Sequence, residues 1–343
     1  MDVRNRDTVV ILGTGGTIAG RAASPGDDLA YSAAQIGIGD LLGSVPGLSQ
    51  SLEGHAIESE QIAQIDSKDM DLDTMARLAR AIASHVQRPG VRGVVVTHGT
   101  DTLEETAYFL GAVLSGERLA GKPVVLTCAM RPANALMADG PQNLLDAIAL
   151  VLDRRASGVL AVCAGAVHAG DAVRKTHPWR LDAFGSGDAG PLAWVEGGRV
   201  RWVSFRPQTD MDKRSLAIEK IAESPRWPRV ELLTSHAGAS GALVDTLVAA
   251  NPDQADPVRG LVVAGTGNGT LHRDLEAALL RAQAAGIHVW RSTRCSLGQV
   301  IPVADQRLPD AAGLPPVQAR IALILELLCQ ADHPPGSPTG SAR

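Results

Sequence analysis

Four short apolar runs in the first half of the chain, at 8 to 12, 91 to 97, 123 to 128 and 158 to 163, alternate with stretches of helical period at about 70 to 86, 103 to 115 and 141 to 153. Near-continuous Val, Ile and Leu is the pattern of strands buried on both faces of a parallel sheet, with helices as the crossovers between them. The stretch opened by Met70-Asp71-Leu72-Asp73 shows the helical period most clearly. Its apolar residues Leu72, Met75, Leu78, Ala79, Ile82 and Val86 recur three and four apart, so one face of that helix lies on the sheet. The alternation predicts βαβ units, and with them an α/β fold.

The pattern breaks after Ser204 into Arg206-Pro207-Gln208, a charged stretch and Ser224-Pro225-Arg226-Trp227-Pro228, then resumes with apolar runs at 230 to 234, 261 to 264 and 287 to 290 and a last helix from Pro316 to Gln330. We expect two domains, each a mostly parallel sheet flanked by helices: residues 1–205, a linker over 206–229, residues 230–330, and a flexible tail over 331–343. The length agrees, since single cores rarely grow past about 250 residues, and the tail of Pro, Gly, Ser and Thr has too little apolar surface to repay ordering.

Charge and cysteines narrow the chemistry. A net charge of -5 offers no basic surface for nucleic acid. No apolar run reaches the roughly 18 residues of a membrane span, and the charged amino terminus enters the first strand without a signal-type stretch, so the expected compartment is the cytoplasm. Cys128, Cys163, Cys295 and Cys329 contain no C-x-x-C pair; they read as reduced core residues, and no metal site is expected.

Two segments carry the candidate chemistry. Gly13-Thr14-Gly15-Gly16-Thr17-Ile18-Ala19-Gly20 follows the run Val9 to Leu12, and Thr97-His98-Gly99-Thr100-Asp101-Thr102 follows Val94 to Val96. Both leave the carboxyl ends of strands, the edge where open α/β sheets bind ligands. Glycine lets substrate and backbone N–H groups approach closely, and a threonine hydroxyl becomes a nucleophile once a base takes its proton. A dinucleotide fingerprint is excluded because Ile18 occupies the place of its third glycine. Gly116 to Pro123 mimics a P-loop, but Pro123 stands where the magnesium-binding hydroxyl belongs.

At these residues the chain resembles the bacterial-type L-asparaginase family of threonine amidohydrolases, whose signatures T-G-G-T-I-A-G and H-G-T-D-T both occur without substitution. The resemblance continues through Ala129-Met130-Arg131-Pro132, Ala138-Asp139-Gly140-Pro141, Lys175-Thr176 and Gly267-Asn268-Gly269, from about residue 8 to 330. It implies conversion of L-asparagine to L-aspartate and ammonia through a threonine acyl-enzyme, without metal or organic cofactor. Thr17 matches the nucleophile, and Thr100, Asp101 and Lys175 match a proton relay in which a buried lysine gives up its proton more readily. Thr14 and Tyr31 match a second hydroxyl pair, Ser67 matches the residue that holds the substrate α-carboxylate, and Asp101 also meets the α-ammonium. The oxyanion is expected at N–H groups of the loop around Thr17 and at Ala129. Asn268 and Thr270 match a loop that completes a neighbouring subunit's site, which implies a homo-oligomer, usually a tetramer. His98 reads as structural, because the family's chemistry leaves it out. The loop from Gly20 to Tyr31 reads as a lid on composition.

Two positions depart from the family. Lys68 stands where many members carry Gln or Glu near the substrate α-amino group; a lysine cannot accept a hydrogen bond and would repel an ammonium, so either its side chain turns away or α-amino recognition is thinner here. No clear match exists for the glutamate that some relatives contribute across the interface; Asp305 is the nearest acidic residue. Both bear on asparagine against glutamine. The alternatives are a glutaminase-asparaginase of broader specificity, an amidase subunit of a transamidation complex, and a catalytically silent amino-acid sensor. The absence of an added partner domain opposes the amidase subunit. Retention of both threonines and Lys175 opposes the sensor, which needs neither nucleophile nor base.

Overall fold

In a computed structural model of the chain the apolar runs become two units, Met1–Ile218 and Glu219–Arg343. The structure describes residues 7–24, 30–114, 116–204, 221, 226–304 and 306–331. Most of the expected linker, nearly all of the expected tail, part of the expected lid and Asp305 therefore lie outside the described residues.

The first unit is built on an eight-stranded sheet. In chain order its elements are β1 (Thr8–Gly15), β2 (Arg21–Ala22), β3 (Tyr31–Ser32), α1 (Ile38–Gly43), α2 (Leu48–Ser51), β4 (Ala56–Ile65), α3 (Leu72–Val86), β5 (Val91–Thr97), α4 (Leu103–Val113), β6 (Pro123–Thr127), α5 (Gly140–Leu152), β7 (Gly158–Cys163), β8 (Ala166–Ala169), β9 (Arg174–Lys175), β10 (Phe184–Gly185), β11 (Ala193–Glu196) and β12 (Arg199–Trp202). The sheet order is β12-β11-β8-β7-β6-β5-β1-β4. Strands β4, β1, β5, β6 and β7 run parallel, and β8, β11 and β12 add an antiparallel flank. β2 with β3, and β9 with β10, form separate short hairpins.

The central strands are sealed on both faces, as their unbroken apolar runs required. Val9, Ile11 and Val95 pack with α1 and α5, while α3 lies against β4 and β5 on its own apolar stripe. Met75, Leu78, Ala79, Ile82 and Val86 are all buried there, each large one worth about 1.5–3 kcal/mol. Asp71 caps the helix by accepting from the Thr74 amide at 2.7 Å. The edge strand β4 escaped the sequence reading because its residues are mostly exposed and carry no continuous apolar run.

The second unit holds a parallel three-stranded sheet, β13 (Arg229–Thr234), β14 (Val258–Gly265) and β15 (His288–Thr293), in that order. Helices α6 (Ala242–Ala250), α7 (Arg273–Ala284) and α8 (Pro316–Ala331) surround it, with α8 on β13 and β14 and α7 on β15. Leu261, Val263, Ala278, Leu279, Ile287 and Val289 form its core. The cysteine expectation holds in part: Cys128 and Cys163 are buried, but Cys295 is exposed and Cys329 only half-buried, since both sit outside the strand cores. Among the described residues no helix is long and apolar enough to cross a membrane.

Candidate functional site

The carboxyl ends of β1 and β5 are pressed together by glycine. Gly16 has φ 79° and ψ -172°, a conformation only glycine adopts readily. A Cβ on Gly16 would stand 2.3 Å from the Gly99 Cα, and one on Gly99 would stand 2.3 Å from the Ser67 Oγ. The loops at 15–17 and 98–100 are thus in backbone contact, with the Ser67 side chain packed against Gly99, and this places Thr17 and Thr100, one residue beyond each glycine, on adjoining loops.

Thr17 opens a short 3-10 turn, Thr17–Ala19, and is buried. Its Oγ1 lies 2.7 Å from the Tyr31 Oη, with either hydroxyl able to donate. Tyr31 comes from β3, whose register with β2 sets Tyr31 opposite Ala22. Gly20 is confined between the two partners, since a Cβ there would meet the Thr17 carbonyl oxygen at 3.0 Å and the Tyr31 ring at 3.2 Å.

The second cluster forms across a longer span of sequence. Lys175 Nζ donates to Thr100 Oγ1 at 2.8 Å and to Asp101 Oδ1 at 2.6 Å, and Thr100 Oγ1 donates to the same carboxylate oxygen at 3.4 Å. Lys175 reaches this place on β9, where it pairs with Phe184 of β10. The structure therefore brings together Thr100, Asp101 and Lys175 as the sequence reading expected. Ser67 ties into the same loop: its hydroxyl accepts from the Asp101 amide at 3.2 Å, and its carbonyl accepts from Thr102 Oγ1 at 2.8 Å. That leaves the Ser67 O–H available as a donor.

Other expected residues are engaged differently. Thr14 is buried, and its hydroxyl donates to the Thr97 carbonyl at 3.0 Å, fastening β1 to β5. Lys68 is drawn onto its own turn, the first of the two alternatives its position allows. Its exposed ammonium pairs with Asp66 at 2.6 Å and Asp69 at 3.5 Å, carboxylates of its own turn that also raise its pKa. His98 is fully buried and pushed down to about 4 by desolvation. Its Nδ1–H donates to the Gly99 carbonyl at 2.7 Å while Nε2 accepts from Thr106 Oγ1 at 3.0 Å, so a neutral ring is fully satisfied. Ala129 is buried just past β6. Asn268 and Thr270 belong to the second unit, where Asn268 exchanges two hydrogen bonds with the Ile301 backbone and Thr270 bonds Thr266. Buried Arg291 fixes that turn by donating to the Gly269 carbonyl at 3.0 Å.

Sequence reasoning assigned no role to several residues beside the motifs. Asp139 accepts from the Met130 and Arg131 amides at 2.9 and 3.0 Å, and Asn143 donates to the Cys128 carbonyl at 2.9 Å, so both shape the backbone around Ala129. Glu104, in the first turn of α4, has its carboxyl pushed up to about 7 by burial. Glu105 adds to that rise, and a hydrogen bond from the Lys175 backbone and the charges of Arg174 and Lys175 oppose it. Asp139 showed a weak signal, an Asp just before Gly140-Pro141 at a helix start.

The comparisons cover both units. Residues 8–208 match the family described as "Asparaginase, N-terminal", and residues 229–334 match the "Glutaminase/Asparaginase C-terminal domain". The chain belongs to the asparaginase family. It is 34% identical to "Glutaminase-asparaginase" of Pseudomonas fluorescens biotype A over 328 residues, covering 93% of this chain and 86% of that one. It is 34% identical to "L-asparaginase 2" of Escherichia coli (strain K12) over 326 residues, covering 93% and 88%. A solved relative, "Probable Cytoplasmic L-asparaginase from Campylobacter jejuni", superposes with a TM-score of 0.85 at 36% identity, covering 94% of this chain and 95% of that one. Both asparaginase motifs lie on the two loops that Gly16 and Gly99 hold in contact.

Proposed function

We propose that this protein is an L-asparaginase that forms an ester on Thr17. The observation that carries the reading is the assembly of two hydroxyl clusters on adjoining loops: Thr17 with Tyr31, and Thr100 with Asp101 and Lys175. Thr17 Oγ1 attacks the side-chain amide carbon of asparagine and its proton leaves through the Tyr31 hydroxyl. The C–N bond breaks, ammonia takes that proton, and aspartate remains as a threonyl ester. Water then attacks the ester with Thr100 and Lys175 shuttling its proton, which releases aspartate and restores the Thr17 hydroxyl. The developing oxyanion is stabilised by main-chain N–H groups of the loop around Thr17 and near Ala129. Ser67 holds the α-carboxylate through its available O–H, and Asp101 meets the α-ammonium.

The shared family supports a homo-oligomer, a tetramer in our reading, in which Asn268 and Thr270 complete a neighbour's site. The name of the Campylobacter relative supports a cytoplasmic location. A broader glutaminase-asparaginase activity is favoured by one specific observation. Lys68 is engaged within its own turn, so its charge is countered there before it can repel the ammonium of either substrate. A silent sensor is disfavoured, because occupancy sensing has no use for an assembled relay.

Ammonia release from purified protein given asparagine, glutamine and a blank tests the activity, and Thr17→Ala tests the route. The variant should stay folded, since one loop hydroxyl contributes little packing, and should lose at least about 10² to 10⁴-fold in turnover. A folded Thr17→Ala protein with near-normal turnover would overturn the assignment.

A further inference from the structure

The Thr17–Tyr31 contact depends on a hairpin too short to stand alone. Among the described residues β2 and β3 pair through only two residue pairs, Arg21 with Ser32 and Ala22 with Tyr31, and an isolated two-stranded ribbon is marginal even when far longer. Its outer edge is held by the loop that follows β6. Ala133 donates its amide to the Gly20 carbonyl at 2.9 Å. Asn134 then does with a side chain what a neighbouring strand does with its backbone: Oδ1 accepts from the Ala22 amide at 2.8 Å and Nδ2 donates to the Ala22 carbonyl at 2.8 Å. Both bonds fall on the residue directly opposite Tyr31.

We propose that Asn134 is a positioning residue for the nucleophile, latching Ala22 so that the Ala22–Tyr31 pairing holds the Tyr31 hydroxyl on Thr17. The proposal rests on the reading of Thr17 as nucleophile and Tyr31 as its proton path. The carboxamide suits the task because it places one donor and one acceptor in the geometry of a peptide group. Aspartate would keep the bond from the Ala22 amide but set a carboxylate against the Ala22 carbonyl, and alanine would lose both bonds. Asn134 is half-buried on a loop, so its removal opens no core cavity. The consequence of slack at Ala22 is displacement of Tyr31, and misplacements near 1 Å cost up to about 10²-fold in rate.

The test is a cycle of parent, Asn134→Ala, Tyr31→Phe and the double variant, with kcat and KM for L-asparagine measured on each. Hydrogen exchange of peptides spanning residues 17–24 and 30–36 is followed alongside. Asn134→Ala should lower kcat about tenfold or more with a smaller change in KM, and speed exchange in both peptides. On the Tyr31→Phe background the same change should cost less than about twofold, because the hydroxyl it positions is already gone. Asn134→Asp should fall between parent and Asn134→Ala, and it carries the test if the alanine variant does not fold. Equal losses on both backgrounds, or unchanged kcat with accelerated exchange, would overturn the proposal. A parent that releases no ammonia from asparagine would instead defeat the functional reading, and the exchange comparison would still report on the latch.

Discussion

Gly16→Ala probes the contact on which the whole site depends. The new Cβ would lie 2.3 Å from the Gly99 Cα and 2.4 Å from the Gly99 nitrogen. These are backbone atoms, so no side-chain rotation relieves the clash, and one loop must retreat by about 1 Å to reach ordinary contact. Overpacking of this kind costs about 1–3 kcal/mol. Placing alanine at φ 79° and ψ -172° adds about 1–3 kcal/mol of backbone strain. Together these approach half of a stability of about 5–15 kcal/mol. Urea unfolding should show a lower midpoint, and turnover measured where the variant is still folded should fall by roughly 10²-fold as Thr17 and Thr100 move apart. Gly37→Ala is the control, because its Cβ meets nothing within 4 Å and its φ is -69°. If Gly16→Ala matches Gly37→Ala in both midpoint and turnover, the two motif loops are not in contact.

Lys68→Gln should leave the ratio of kcat/KM for glutamine and asparagine within about twofold of the parent, because the ammonium is engaged by Asp66 and Asp69; a selective rise for glutamine in steady-state kinetics would show that Lys68 faces substrate after all. Glu104→Gln should stabilise the fold at pH 8 and not at pH 4. Burial raises the Glu104 carboxyl to about 7, so its ionised form imposes a penalty that is absent below the unfolded value near 4.3 and complete above 7, about 4 kcal/mol when fully expressed. Equal urea midpoints for variant and parent at pH 8 would contradict this.

The contiguous motifs were readable because their chemistry and their geometry share one short segment. Thr17 and Thr100 each follow a buried strand by a few residues, and glycine spacing alone signals close backbone approach. The helix over 72–86 was equally readable, since its apolar stripe and its Asp71 cap are local. Lys175 was placed only by family resemblance, for β9 is two residues long and its pairing with β10 carries no periodic signal. The edge strand β4 was missed for want of an apolar run. The partners of Lys68 went unassigned because the sequence shows Asp66 and Asp69 nearby but not that both carboxylates turn onto its ammonium.

Most of the residues that were missed act on main-chain groups. Asp139 takes two amides of the Ala129 loop, Asn143 holds the Cys128 carbonyl, Asn134 bridges Ala22, and Glu104 accepts from the Lys175 backbone. A site built from glycine loops makes this necessary. Glycine permits close approach but contributes no side chain to fix where the backbone lies, and an unpaired buried amide costs about as much as a lost hydrogen bond. The side chains that settle the loop geometry must then come from elsewhere in the chain, and they need to be polar and partly buried without touching substrate. That accounts for His98 as well: it sits inside the motif, yet its ring is spent between the Gly99 carbonyl and Thr106. A polar residue beside such a motif is therefore weak evidence for contact with substrate until its own backbone partners have been counted.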